Sequence, residues 1–443
     1  RSGYFFKQSI MKLDLTKFYQ ACDPSKTLVV GNAEDRQYYI DFSSVRGGKI
    51  IAELERTITR LSPDEPTCQL FTGHVGCGKS TELLRLKAEL EYQGFHVVYF
   101  NSSHDMDMAD VDITDILLAI AREVSESLET IKIRLKPGYF VDLFREIAEI
   151  LQTPIDISDV QLSVGIAKIT AKTKDSPRLR SQLRYYLEPH TNRLLEAINK
   201  EVLEPATEKL KWQGKKGLVV IVDNLEKLHN SVKPSGSSQA EYLFVDRGEQ
   251  LKQLNCHLVY TIPLVLIFSN VLGRLTDRFG VDPKVLPMVP VQLRDSSEFP
   301  KGITLLQQMV MARAFPGVSW EGSRNLITRV FDSPETLEQL CRVSGGHVRS
   351  LLMLLQTCLQ KTDDLPLSRD CLGSVIRQRC NTLKNTVTDQ EWDLLHQVAQ
   401  EKSLRGEERY QSLIHSMFVF EYRYQDDLWF DVNPILAEAK ELQ

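Results

Sequence analysis

The 443-residue chain carries 54 basic and 59 acidic residues, a formal net charge of -5, which excludes a global electrostatic pull toward nucleic acid or anionic membranes. The length exceeds one ordinary core and predicts about two to four domains. Eight scattered cysteines without C-x-x-C spacing argue against a disulfide framework or zinc cluster. No apolar run reaches the ~18 residues of a membrane span, and no signal peptide is visible, so a cytoplasmic protein with reduced thiols and no membrane is expected.

Residues 1–27 read as a leader. Residues 1–10 resemble nothing downstream and are expected to be linker, with Met11 as a native start. The polar and aromatic run 35–42 and an amphipathic helix over 49–61 follow. Tyr38, Tyr39 and Arg46 either line an adenine pocket or pack that helix on a sheet.

Gly73-His74-Val75-Gly76-Cys77-Gly78-Lys79-Ser80-Thr81 fills the pattern G-x-x-x-x-G-K-S/T. Such a loop turns its backbone N–H groups inward at a helix N-terminus, where closely spaced phosphate charges are held. The glycines shape it, Lys79 is placed to reach the β- and γ-phosphates, and the Ser80 hydroxyl is placed to ligate Mg2+. Thr81 is an early helical residue. Apolar residues 68–72 predict a strand before the loop, and Leu83, Leu84, Leu86 and Leu90 predict a helix after it.

A second strand is expected over 96–100. Asp105, Asp107, Asp110, Asp112 and Asp115 then precede a helix over 116–128. They lack the glycine and terminal glutamate of a calcium loop, and helix capping accounts for them better. From about 125 to 214 a helical insertion interrupts the alternation, with residues 160–173 expected as a strand or hairpin. Residues 168–194 carry Lys168, Lys172, Lys174, Arg178, Arg180, Arg184 and Arg193, with Tyr185 and Tyr186 among them. A solvated or protein-docking face is favoured there over a nucleic-acid contact.

The run 218–222 ends in Asp223, with Glu226 three residues on. A buried strand of this kind delivers a carboxylate to its C-terminal edge, where ligands of open α/β sheets sit. Asp223 is expected to serve Mg2+ through water, and Glu226 to polarise an attacking water. Strands are also expected over 257–261, ending in Thr261, and over 285–291. Thr261 is placed to hold the water or the γ-phosphate. Arg274 or Arg278 could act as an arginine finger in a neighbouring copy, and Arg278 is the candidate kept. Residues 296–380 read as a helical lid, with helices over 303–314, 324–331, 334–343 and 350–359. Arg349, after Gly345-Gly346, is the candidate reader of the γ-phosphate. Residues 381–443 read as a winged helix whose twelve acids and six bases oppose DNA binding.

In that order, the phosphate loop, the long insertion, the D-x-x-E strand, the strand ending Thr-x-Pro, the Gly-Gly-x-x-Arg lid and the terminal winged helix resemble AAA+ and STAND ATPases, including the origin-recognition and NACHT or KAP-like branches. The resemblance implies an α/β fold, a P-loop NTPase core over 28–295 with a parallel sheet, followed by a helical lid and a C-terminal winged-helix domain. It implies ATP/ADP and Mg2+ as ligands, Lys79 and Ser80 in Walker A, Asp223 and Glu226 in Walker B, and Thr261 and Arg349 as sensors. The D-x-x-E spacing tilts toward the switch-like branch, with protein partners and a nucleotide-dependent homo-oligomer. A DNA-associated ATPase of the initiator or transposition-regulator kind is the alternative.

Overall fold

The computed structural model describes residues 13–135, 138–150, 162–174, 176–229, 231, 233, 236–405 and 408–442; Met11 and the rest of 1–12 lie outside them. Five strands, β1 (Cys68–Gly73), β2 (His96–Asn101), β3 (Leu218–Asp223), β4 (His257–Thr261) and β5 (Lys284–Leu286), form one parallel sheet in the order β2-β3-β4-β1-β5. Parallel strands are covered on both faces, which is why these runs are apolar at most positions. Leu70, Val98, Val220 and Leu258 face one layer, built from helix Ile113–Thr130 and the insertion. Phe71, Val97, Val219 and Val259 face the other, where Leu83, Leu86 and Leu90 of helix Lys79–Tyr92 pack with Ile51 and Leu54.

The stretch expected as a strand or hairpin over 160–173 is corrected: it forms helix Leu162–Lys174 among the described residues, with Val160 outside them. Leu162, Ile166, Ile169 and Thr173 are buried at helical spacing, while Val164, which completed the apparent alternation, is 41% exposed. Gly165 lets this helix close on Phe144; a Cβ there would lie 2.4 Å from the ring. Asp112 caps Ile113–Thr130 in a capping box with Asp115, as capping predicted.

The expected strand 285–291 is also corrected, to Lys284–Leu286. Pro287 and Pro290 lack the N–H a central ladder needs. The chain between them serves two other partners: Met288 donates its N–H to Glu421 O at 3.0 Å, and Val289 to Gly346 O at 3.4 Å. In place of the helix expected over 324–331 there is a short helix Trp320–Arg324 and a 3-10 turn Ile327–Arg329.

Helices Pro300–Ala314, Pro334–Val343, Val348–Lys361 and Arg369–Lys384 enclose a separate core. Phe18 and Cys22, from the helix Leu15–Ala21 and its C-cap, are buried in that core, so residues expected to be leader are packed into the protein. Helices Asp389–Glu401 and Glu408–His415 then lead to an antiparallel hairpin, β6 (Val419–Tyr424) and β7 (Asp427–Val432). Phe420, Tyr422 and Trp429 of the hairpin join the core beneath the phosphate loop. Strand β6 is tied to the N-terminal part of the core as well: Gly47 donates its N–H to Arg423 O at 3.0 Å.

Candidate nucleotide site

The phosphate loop runs from the end of β1 into helix Lys79–Tyr92. Gly78 is the helix N-cap, in the left-handed region at φ 104°, which leaves the following N–H groups directed out of the helix end. Lys79 is folded back: its Nζ donates to Gly73 O at 2.9 Å and His74 O at 3.0 Å and pairs with Glu226 Oε1 at 3.0 Å. Both side chains of the pair are at least 95% buried, 3% and 5% exposed. Burial alone would raise the Glu226 carboxyl, but the Lys79 ammonium and the Thr261 hydroxyl hold it below its ordinary range. For Lys79 burial works toward the neutral amine, and the Glu226 charge outweighs it, so the group stays protonated.

Asn224 explains how Glu226 reaches this position. It adopts φ 68° directly after β3, so the chain turns back and the second carboxylate returns over the loop. Thr261, at the end of neighbouring β4, fixes that turn by accepting the Leu225 N–H at 3.0 Å and donating to Val222 O at 3.4 Å. The hydroxyl expected to meet water or γ-phosphate is thus used inside the protein, beside Glu226.

Asp223 is fully buried. Tyr99 donates its hydroxyl to Asp223 Oδ2 at 2.6 Å and the Asn224 N–H donates to Oδ1 at 2.8 Å, and the Ser80 hydroxyl is close enough to help hold the carboxylate charged. Burial and the nearby Glu226 charge raise the Asp223 carboxyl. A hydroxyl and a carboxylate oxygen side by side at the helix N-terminus suit Mg2+, which takes hard oxygen ligands and completes its shell with phosphates and water. Among the described residues no group of three or more His, Cys, Asp or Glu could hold a metal without such help.

A cavity of about 220 Å3 extends along the loop from Val75 to Glu82 and reaches Glu226. Tyr38, Tyr39 and Arg46 line it. Arg46 is also a buried support, donating to Cys77 O at 2.9 Å and pairing with Glu82 at 3.4 Å. Residues 24–28, Met309 and Arg313 form walls that sequence reasoning did not find. Their contribution comes from tertiary packing across the chain, and no local pattern marks it. Tyr99 was missed as well, although its place near the end of β2, beside the Asp223 strand, is a readable signal.

The lid meets the outer side of the same loop. His347 Nε2 is 2.9 Å from Val75 O, to which it donates, and the Arg349 N–H donates to Gly76 O at 3.2 Å. Arg349 lines the cavity, and its guanidinium makes no ion pair among the described residues. His74 is reached from the hairpin: Glu421 donates its N–H to His74 Nε2 at 2.9 Å. Cys77 is buried with Sγ 3.6 Å from Leu286 O, and Thr81 Oγ1 accepts the Leu28 N–H at 3.4 Å. Arg278 lies away from this cavity and donates Nε to Val245 O at 3.2 Å. Arg274 pairs with Glu241 and Asp246.

Gly76 is where loop and lid are closest. Its φ is 85°, and a Cβ would lie 2.6 Å from His347 Nε2 and 2.9 Å from Arg349 Cβ. Gly76→Ala is expected to lower stability by about 1–3 kcal/mol through left-handed strain and overpacking. Urea denaturation beside Gly48→Ala, whose added Cβ meets nothing within 4 Å at φ 80°, separates the two terms; equal losses would remove the lid contact from the account.

No protein-family model and no curated protein matches the sequence. Solved structures of similar architecture include the Drosophila ORC bound to DNA (12% identity, 98% of this chain and 93% of that chain, TM-score 0.39). The Aeropyrum pernix ORC2 protein in ADPNP-ADP complexes is 13% identical (94% and 96%, TM-score 0.40), and the Walker-type ATPase of Pyrococcus abyssi 12% (90% and 98%, TM-score 0.38).

Proposed function

We propose that the chain is an ATP-binding and hydrolysing P-loop ATPase that works as a conformational switch read by protein partners. The single observation that carries this reading is the contact of lid, hairpin and catalytic candidates with one loop. Val75 and Gly76 meet the lid, His74 meets the hairpin, and Lys79 meets Glu226. A γ-phosphate drawing Lys79 away from Glu226 would act on all of them at once.

In this reading the loop N–H groups and Lys79 hold the phosphates, and Ser80 and Asp223 hold Mg2+, which shields phosphate charge when bound. Glu226 orients the water whose oxygen bonds to the γ-phosphorus. The bond to the β–γ bridging oxygen breaks with its electron pair left on ADP, and a water proton passes to the carboxylate. Thr261 acts as a positioning residue for Glu226, and Arg349 reads the γ-phosphate from the lid. Lys79→Ala is expected to lower ATP affinity by ~10²-fold or more, since a charge-assisted contact is lost and Glu226 is left buried without its partner. Calorimetric titration checks this; unchanged affinity would sink the site.

A second reading is a DNA-associated ATPase of the initiator kind; the structures of similar architecture include the Drosophila ORC and the Aeropyrum pernix ORC1 protein, each in complex with DNA. That reading depends on the basic stretch 168–194, and much of its charge is engaged. Arg180 pairs with Asp107 at 2.6 Å, and Arg184 with Asp110 at 2.6 Å and Asp115 at 2.7 Å. Lys174 donates to His104 O at 2.8 Å, and Arg193 lies over the Tyr139 ring. Filter binding of duplex DNA against salt decides: a steep loss of affinity with salt supports DNA association, and no binding at low salt rejects it. Solution mass with ADP and with a slowly hydrolysed ATP analogue tests the homo-oligomer and the Arg278 finger; a mass that never changes removes both.

A further inference from the structure

A second cavity, of about 340 Å3, shares only Val75 and Glu226 with the first. Its inner end is lined by Gly73, His74 and Glu226. Its outer walls are the segment after β4 and the end of helix Glu408–His415, and the lining residues His229, Ser412, His415 and Ser416 are exposed to solvent. Val75 and Glu226 line both cavities, so the second one extends from the Glu226 end of the nucleotide site to solvent-exposed residues.

Two residues of the lining, His74 and Glu226, each carry a buried polar atom without a partner among the described residues. His74 Nε2 accepts the Glu421 N–H, so the neutral ring carries its proton on Nδ1. That Nδ1–H is buried and has no partner among the described residues, and neither has Glu226 Oε2. One is a donor and the other an acceptor, so a guest that both accepts and donates would match them once the two side chains turn toward the cavity. Hydrogenphosphate does this, with a P–O group toward His74 and a P–OH toward Glu226. Once the γ-phosphate has left, Lys79 can return to the Glu226 pairing seen here and offset its charge.

We propose that this second cavity binds inorganic phosphate and is the route by which the phosphate cleaved from ATP leaves while ADP remains. The inference rests on the ATPase reading above. Product release of this kind commonly sets the turnover of nucleotide-driven switches.

The test uses the full chain and two mouth variants, Ser416→Trp and Ser412→Trp, which lie outside the catalytic machinery. Inorganic phosphate is titrated into chain saturated with ADP and Mg2+ and followed by phosphorus NMR. A phosphate line broadened by wild type, and ~10-fold less so by the variants with ADP signals unchanged, is expected for a blocked path. A sharp line with wild type, or equal broadening in all three, overturns the proposal. A second arm follows product phosphate in a single turnover, comparing acid-quenched cleavage with the signal of a fluorescent phosphate-binding protein. Release lagging behind cleavage in the variants shows that product uses the site that free phosphate enters. Absence of ATP cleavage by wild type removes the proposed function and this inference together. Cleavage with the same phosphate line in wild type and variants removes the inference alone.

Discussion

Glu226→Gln is expected to slow ATP cleavage by ~10²-fold or more while ATP still binds, the size of effect seen when a general base is removed. The carboxylate is 5% exposed, held ionised by Lys79 at 3.0 Å, and its second oxygen is unmatched among the described residues, so it is poised to take a water hydrogen bond. Glutamine preserves shape but removes the charge that polarises that water. It also removes the counter-charge that draws Lys79 away from the phosphates. ATP affinity should therefore stay level or rise, while the nucleotide-free protein loses stability because a buried ammonium has lost its partner. Single-turnover cleavage, calorimetric titration and denaturation with and without ATP separate these effects. Undiminished cleavage takes Glu226 out of its proposed role. Lost binding would mean that the pair supports the loop itself.

Much of the core was legible because its signals are local. A gapless phosphate-loop pattern between an apolar run and an amphipathic helix, and an apolar run ending in Asp223, each carry their own context. Residues 160–173 misled because Leu162, Val164 and Ile166 fit a two-residue period as well as a helical one, and only packing shows that Val164 faces out. The basic stretch was legible as charge but not as pairing, since Arg180 and Arg184 meet acids some seventy positions earlier in the chain. Thr261 ends the strand beside the one that carries Asp223, yet its hydroxyl is taken by the Leu225 turn, a detail fixed by strand register. His74 was counted as one more loop position. Its partner is 347 positions away on the hairpin, a distance at which no motif gives warning.

Lowering the pH from about 6.5 to 5 is expected to remove ~3 kcal/mol of stability through His74 and His347, the slope for each rising toward about 1.4 kcal/mol per pH unit as the unfolded histidine fills with protons. Burial pushes His74 down to about 3, with His347 and Lys79 adding to the shift. Burial also pushes His347 down to about 4; its bond to Val75 O works against this, and Arg349, Lys79 and Arg379 work with it. An unfolded histidine titrates near ~6.5. The contribution is therefore complete above that pH and is lost as pH falls toward the folded values, because the unfolded chain takes up protons that the folded one rejects. Glu421 and Asp223, raised by burial, act in the opposite sense at lower pH, so the comparison must be between variants. Glutamine at either site can keep the bond made by Nε2 without titrating. Urea denaturation of wild type, His74→Gln, His347→Gln and the double variant over this range should show the slope falling by about half with each single change. At the level of the loop the two sites differ. A proton on His347 leaves its bond to Val75 intact and asks only that Ser350, 2.6 Å from Nδ1, become the acceptor. A proton on His74 puts N–H against the Glu421 N–H, and the hairpin contact breaks. Acid should thus release the hairpin from the phosphate loop before it releases the lid, which hydrogen exchange at Glu421 and Arg349, corrected for intrinsic pH dependence, would resolve. Simultaneous release of both amides would mean that lid and hairpin respond to the loop as one body.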